Sequence, residues 1–421
     1  IYTLPEVQKG TVNDADFGKL WGLHNEGQTG GKADADIDAP EAWQIHTGRS
    51  QAEGGHITAV IDTGVDYNHP DLKANMWVNP GEIAGNGIDD DGNGVIDDVH
   101  GYNAFADNGD PMDGQGHGSH CAGTIAAVGN DGVGVVGVNQ KANIMAVKIF
   151  SDEGSTDAAA IIRGIQYATK MGARITSNSW GGPIPNAGIR QAFEESPAFH
   201  LVAAGNSGTN NDWFPSFPAN YPLPNLLSVA ATDHNDGLAS FSQYGAKKVH
   251  LGAPGVDILS TVPGGGYDTY SGTSMATPHV AGAATLVASA RPDITNDELR
   301  AALLGGVDQT EAHRWTPERP QLLDLRWLAS QFGRASAANE GAPVDGFDCG
   351  TFFGAVRPHG LAISQVDFDV SGLALGDTTS IGRPEKHQVA GLQLVLTDRS
   401  LRIVLSQALG RHARDVGASL L

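Results

Sequence analysis

The chain is poor in cysteine and in bases, and it has no long apolar run. Two cysteines, Cys121 and Cys349, in 421 residues exclude a disulfide framework. No stretch approaches the roughly 20 apolar residues of a membrane span. Lys and Arg total 26 against 48 Asp and Glu, a net charge of −22. So acidic a chain is not expected to seek nucleic acid or an anionic membrane. The shortage is also local: no Lys or Arg occurs between Ala74 and Gln140, while Asp crowds that interval. Such a segment is either a solvated acidic face or a cation site. Charged residues make up only 18%, while Gly reaches 56. That excludes disorder and suits a compact α/β enzyme with many tight turns.

Apolar runs alternate with helical patterns. His56 to Ile61 reads as a buried strand delivering Asp62 at its C-terminal end. Further strands are expected at Ile144–Ile149, Ile175–Ser179 and His200–Ala204. Helices are expected from Pro40, at His117–Val128, at Asp157–Lys170 capped by Ser155 or Thr156, and at Thr277–Ala290. Thr295 to Glu298 is a capping box. The predicted fold is α/β: three layers, a mainly parallel sheet flanked by helices. Residues 1–40 read as an N-terminal arm, 41–330 as the catalytic domain and 331–421 as a C-terminal extension. The extension carries 9 acids and 8 bases, a net of −1 that leaves −21 for the rest. Ala335 to Pro343 has linker composition. Leu392, Leu394 and Leu396, then Leu401, Ile403 and Leu405, alternate as a β-hairpin does.

Three glycine-bracketed motifs carry the chemistry. They are Asp62-Thr63-Gly64, Gly116-His117-Gly118 and Gly272-Thr273-Ser274-Met275-Ala276. A serine hydroxyl needs a base held in one tautomer before it is a useful nucleophile. His117 suits that base, Asp62 the orienting acid and Ser274 the nucleophile. Ala204-Gly205-Asn206 ends a strand in glycine and then presents an amide. Asn206 Nδ2 and the Ser274 N–H suit an oxyanion. Cys121 reads as a buried free thiol beside the site. Trp21, Trp43 and Trp77 read as packing aromatics, and Asp66 as a solvated turn residue. Asp89, Asp91, Asn93, Val95 and Asp97 offer oxygens at alternate positions around Gly92 and Gly94. That opens an EF-hand-like Ca²⁺ loop. The closing Glu position is His100, so Asp98 or an outside ligand must replace it.

These segments resemble the subtilisin-like serine proteases over roughly residues 12–330. The resemblance implies a secreted endopeptidase acting on proteins or peptides through the triad Asp62, His117 and Ser274, with Asn206 as oxyanion donor. It implies that Ser179, Trp180, Gly181 and Gly182 pair with substrate backbone and wall the P1 pocket. Gly154 and Ser155 fall at the opposite edge, and His120 is structural. Trp180 departs from the leucine common at its position and is expected to narrow or lid the pocket. The resemblance also implies a Ca²⁺ site of Asp14, Asp71, Asp131 and the carbonyls of Val133 and Val135. The chain starts at Ile1, which reads as a product trimmed from a precursor whose propeptide inhibits it. A monomer is expected. Two alternatives stay open: a non-catalytic module on the same fold, and a maturation protease whose acidic cleft selects basic residues.

Overall fold

The structure is a computed structural model that describes residues 12–308 and 321–325, together with the backbone of four strands between 365 and 405. The expected linker at 335–343 and Cys349 lie outside the described residues. The chain divides into two compact units, Ile1–Glu340 and Gly341–Leu421.

The first unit is built on a nine-stranded sheet. Its strands are β1 (Thr58–Asp62), β2 (Gly101–Asn103), β3 (Ile144–Lys148), β4 (Ile175–Asn178), β5 (Phe199–Ala203), β6 (Leu226–Thr232), β7 (Leu251–Pro254), β10 (Val307–Asp308) and β11 (Gln321–Leu323). The order is β10-β11-β7-β6-β5-β4-β1-β3-β2. All neighbours are parallel except β10 and β11. β8 (Ile258–Val262) and β9 (Gly266–Tyr270) form a separate hairpin. Helices α1 (Ala39–Trp43), α2 (His117–Ala126), α3 (Ala158–Lys170), α4 (Ala187–Glu195), α5 (Thr273–Ala290) and α6 (Asn296–Gly305) connect them.

The run from Thr58 to Asp62 is buried throughout because both sheet faces are covered. Val60 and Ala146 pack with Ile125 of α2 and Val280 of α5. Ile61 and Val147 pack on the other side with Ile165 of α3 and Phe193 of α4. Strand alternation thus divides one apolar sequence between two cores. β1 sits between β3 and β4, where the strand order turns back. In open α/β sheets that switch point is where a site forms, beyond the strand C-termini. Asp62 ends β1 there.

Several boundaries differ from the sequence reading. α5 begins at Thr273, not Thr277, so Ser274 lies in its first turn and Pro278 lies inside it. α3 is capped by Asp157, whose side chain accepts from the Ala160 N–H at 2.8 Å. Thr156 instead donates its hydroxyl to the Ile149 carbonyl. Asp66 is buried, because its carboxylate accepts from the Asn68 and Gly264 N–H groups at 3.1 and 2.9 Å. The Thr295–Glu298 capping box is present. Trp21 and Trp77 are buried, and Trp43 donates its indole N–H to the Val138 carbonyl at 2.8 Å.

The second unit contains four antiparallel strands, β12 (Gln365–Asp369), β13 (Lys386–Val389), β14 (Leu392–Leu396) and β15 (Ser400–Leu405), in the order β12-β15-β14-β13. β14 and β15 form the hairpin read from alternation, with Leu392 opposite Leu405 and Leu394 opposite Ile403.

Candidate active site

His117 opens α2 after Gly116. The helix start rests directly on the β1 turn: a Cβ at Gly118 would stand 2.0 Å from the Gly64 carbonyl oxygen. This contact sets His117 beside Asp62. Asp62 is 1% exposed, and His117 Nδ1 lies 2.7 Å from Asp62 Oδ1. A carboxylate at that distance fixes the proton on Nδ1 and leaves Nε2 as the basic nitrogen. Burial opposes a charged ring, yet Asp62 and then Asp113 outweigh it and hold the His117 pKa above its ordinary value. His46, His120, His200, His250 and His279 are all shifted down, chiefly by burial. His120, pushed down to about 4, puts Nε2 on the Ile258 carbonyl at 2.9 Å and stacks on Tyr270. It is a neutral packing residue.

Ser274 is held by a reciprocal pair. Its Oγ donates to the Ser179 carbonyl at 3.0 Å, and Ser179 Oγ donates to the Ser274 carbonyl at 2.9 Å. Cys121 Sγ also reaches that carbonyl, at 3.4 Å. The thiol is wholly buried, and burial raises its pKa. The sequence reading expected the hydroxyl on the imidazole. Among the described hydrogen bonds, it lies on Ser179 instead. Nucleophile–base bonds are commonly unformed before substrate arrives.

Thr273 joins α5 to the Asn206 loop. Its N–H and its hydroxyl each donate to Asn206 Oδ1 at 2.9 Å. With the oxygen so pinned, Nδ2 is the end left to face a ligand. Gly205 precedes it at φ +114°, and a Cβ there would stand 1.9 Å from Gln243 Oε1. Only glycine fits. The Ser274 N–H adds an open donor of the helix's first turn.

Ser179, Trp180, Gly181 and Gly182 line a cavity of about 480 Å³ that reaches Asn206 and Ser274. Among the described residues, no charged side chain lines it. Gly182 and Phe217 exchange two backbone hydrogen bonds, at 2.9 and 2.7 Å. Trp180 is no lid. Its indole N–H donates to the Ile61 carbonyl at 2.9 Å, and its ring stacks near Phe193. It forms a wall shared with an apolar cavity of about 230 Å³ lined by Phe150, Ile161, Ile189 and Tyr221. Across the cleft, the Gly154 N–H and the Ser155 carbonyl are committed to Ser151, at 3.0 and 2.8 Å. That turn closes on itself, so fewer of its groups are open to a substrate strand than expected.

The expected cation ligands fall into two groups. Asp14 and Asp71 converge on the 130–135 loop. Asp14 accepts from the Asn130 and Asp131 N–H groups at 2.9 and 3.4 Å, and Asp71 Oδ2 accepts from the Val135 N–H at 2.9 Å. Asp131 accepts from the Val133 N–H at 2.8 Å. The N–H groups of Val133 and Val135 thus point at the carboxylates of Asp131 and Asp71. Asp71 Oδ1 is buried without a partner, and burial pushes Asp71 up to about 7, Asp131 and Asp14 adding repulsion. In the second group Asp89 is used by the Asn93 and Gly94 N–H groups, and Asp97 by those of Asn86 and Gly87. Val95 donates its N–H to Asn93 Oδ1, and the Asn93 carbonyl accepts from Lys170. Asp91 and Asp98 instead meet Glu82, all three oxygens within 4.8 Å of one another. Glu82 Oε2 is buried and unpartnered. Sequence reasoning missed Glu82, which stands outside the Asp-rich loop pattern; the turn at Asn79-Pro80-Gly81 was the available signal.

Comparison with known proteins agrees with this geometry. Residues 54–316 match a family described as the subtilase family. Thermitase from Thermoactinomyces vulgaris is 40% identical over 277 residues, spanning 65% of this chain and 86% of thermitase. An intracellular serine protease from Paenibacillus polymyxa is 40% identical over 278 residues, spanning 64% and 77%. A protease structure from Pseudoalteromonas arctica matches with TM-score 0.61 and 26% identity, over 76% of this chain and 99% of that one. The chain belongs to the subtilase family and is a serine endopeptidase.

Proposed function

We propose that Asp62, His117 and Ser274 cleave peptide bonds through an acyl-enzyme, with Asn206 Nδ2 and the Ser274 N–H as oxyanion donors. The observation that carries this reading is His117 Nδ1 lying 2.7 Å from the buried Asp62 carboxylate. In keeping with it, the His117 pKa is raised, while the other shifted histidines among the described residues are lowered. His117 Nε2 takes the Ser274 proton as Oγ bonds to the carbonyl carbon. It then returns that proton to the leaving amine, and a water repeats the sequence to release the acid. Substrate backbone lies along Ser179–Gly182. The uncharged lining beside Ser274 favours neutral P1 side chains over the basic selectivity of a maturation protease. A fluorophosphonate probe is expected to form an adduct on Ser274, located by peptide mass spectrometry. Folded wild-type protein that stays unlabelled would sink this reading.

Calcium is the proposed stabilising ion. The orphaned buried oxygens of Asp71 and Glu82 suit a hard divalent cation. Asp14, Asp71 and Asp131 would hold one ion, tying the N-terminal arm to the body, and Glu82, Asp91 and Asp98 another. An ion at a hundredfold excess over Kd adds about 2.7 kcal/mol to stability. Dialysis against chelator is therefore expected to lower Tm by roughly 5 °C or more, with Ca²⁺ restoring it. An unchanged Tm would remove calcium from the proposal. Secretion and an inhibitory propeptide extend the same reading; the N-terminal sequence of material from the host's medium checks both. No helix among the described residues is long and apolar enough to cross a membrane.

A further inference from the structure

Thr63 makes four hydrogen bonds to four parts of the chain. Its N–H donates to Asp62 Oδ1 at 2.8 Å. Its hydroxyl donates to Asp113 Oδ1 at 3.0 Å and accepts from the Gly118 N–H at 2.8 Å. Its carbonyl accepts from Lys148 Nζ at 2.6 Å. Lys148 is the register partner of Asp62 on β3. The end of β1, the loop before α2, the first turn of α2 and the end of β3 are thereby pinned together.

Asp113 anchors this junction. It is 3% exposed and accepts five hydrogen bonds. Oδ1 takes the Thr63 hydroxyl and the Gln115 and Gly116 N–H groups, the latter two at 2.9 Å. Oδ2 takes the Ser119 N–H and hydroxyl at 2.9 and 2.7 Å. Three of these donors belong to the N-terminal turn that carries His117, where a carboxylate is most favoured.

We propose that Asp113, acting through Thr63, is a positioning residue that sets the Asp62–His117 separation and supplies a second negative charge in support of the protonated imidazole. The inference rests on the triad reading above. Asp62 and His117 sit on different elements, and one bond joins their side chains directly. Thr63 and Asp113 also tie the two backbones, which holds the two side chains at their separation.

The charge on the ring follows from which groups act on it. Asp62, at the end of β1, is hydrogen-bonded to Nδ1, and the negative charge of Asp113, four residues before His117 in the loop, also favours the charged ring. Cys121 and His120 share the ring's helix. Burial keeps the Cys121 thiol protonated and His120 neutral. Lys148, from β3, is paired with Asp152 at 2.7 Å. Two carboxylates therefore act on the imidazole. Removing either negative charge lowers its pKa, so the acid limb of activity moves to lower pH.

The test is the pH profile of hydrolysis of a neutral peptide by the full chain, for wild type, Asp113→Asn, Thr63→Val and Thr63→Ser. Asp113→Asn is expected to move the acid-limb midpoint down by about 0.5 pH unit or more. It is also expected to lower kcat roughly tenfold with KM within about twofold. Thr63→Val is expected to lose kcat similarly, and Thr63→Ser to recover it to within about threefold. A folded Asp113→Asn with an unmoved midpoint overturns the proposal. So does Thr63→Val with wild-type kcat, or a Thr63→Ser variant that fails to recover. If Asp113→Asn does not fold, the Thr63 pair decides. His117→Ala separates the two levels: turnover retained there refutes the triad, while turnover lost there with Asp113 and Thr63 variants unaffected refutes this inference alone.

Discussion

Ser274→Ala is expected to lose about 10⁶-fold in kcat, the size of loss that removing the nucleophile causes in a subtilisin. Deleting Oγ removes the atom proposed to form the acyl bond. The change is otherwise mild. Ser274 sits in the first turn of α5, and its carbonyl keeps the Ser179 and Cys121 contacts. Oγ gives up one hydrogen bond, to the Ser179 carbonyl. An effect of about 1 kcal/mol on stability is expected, so Tm stays near wild type while turnover disappears. KM is expected to change little, because the Ser179–Gly182 edge and the neighbouring cavity are untouched. Turnover within about a hundredfold of wild type would assign the nucleophile elsewhere.

Asp62→Asn is expected to lower kcat by about 10⁴-fold, as loss of the orienting acid does in serine proteases. Asp62 Oδ1 accepts from both His117 Nδ1 and the Thr63 N–H, while Oδ2 is buried without a partner. An asparagine amide satisfies the first position with its oxygen. Its NH₂ then enters the orphaned place as a buried donor, and the negative charge is gone. The strongest support of the imidazolium is lost, so the pKa of His117 falls and the acid limb moves to lower pH. The kcat loss and the limb shift must appear together. A folded variant that keeps kcat within about tenfold of wild type would show that His117 needs no acid.

The short motifs were readable because their chemistry is local. Asp62 follows a β-branched run and precedes a Thr-Gly turn, and His117 and Ser274 each follow a glycine within two residues. Alternation of Leu392, Leu394 and Leu396 was enough for the distal hairpin. The α5 start was misplaced because Pro278 reads as a first-turn residue when it lies deeper in the helix. Asp66 reads as solvated in sequence because its partner Gly264 is 198 positions away. The Asn79-Pro80-Gly81 turn marks a reversal before Glu82, but no spacing rule says that it brings Glu82 to Asp91 and Asp98. The five donors of Asp113 come from three segments, and nothing at Asp113 itself distinguishes it from the other aspartates of that interval. Strands β6 to β9 escaped notice for a simpler reason: their apolar runs are broken by small and polar residues.

Pro278 has a consequence for the thiol that the reaction does not use. Proline has no amide hydrogen, so the carbonyl four positions earlier receives no helical bond. That carbonyl belongs to Ser274. Left bare in a buried helix, it would cost about 1–3 kcal/mol. The hydroxyl of Ser179 and the sulfhydryl of Cys121 stand in for the missing amide, one from the substrate-binding edge and one from the histidine helix. The gap in the α5 ladder thus becomes a three-way joint, and the backbone at Ser274 is held by side chains from two other segments.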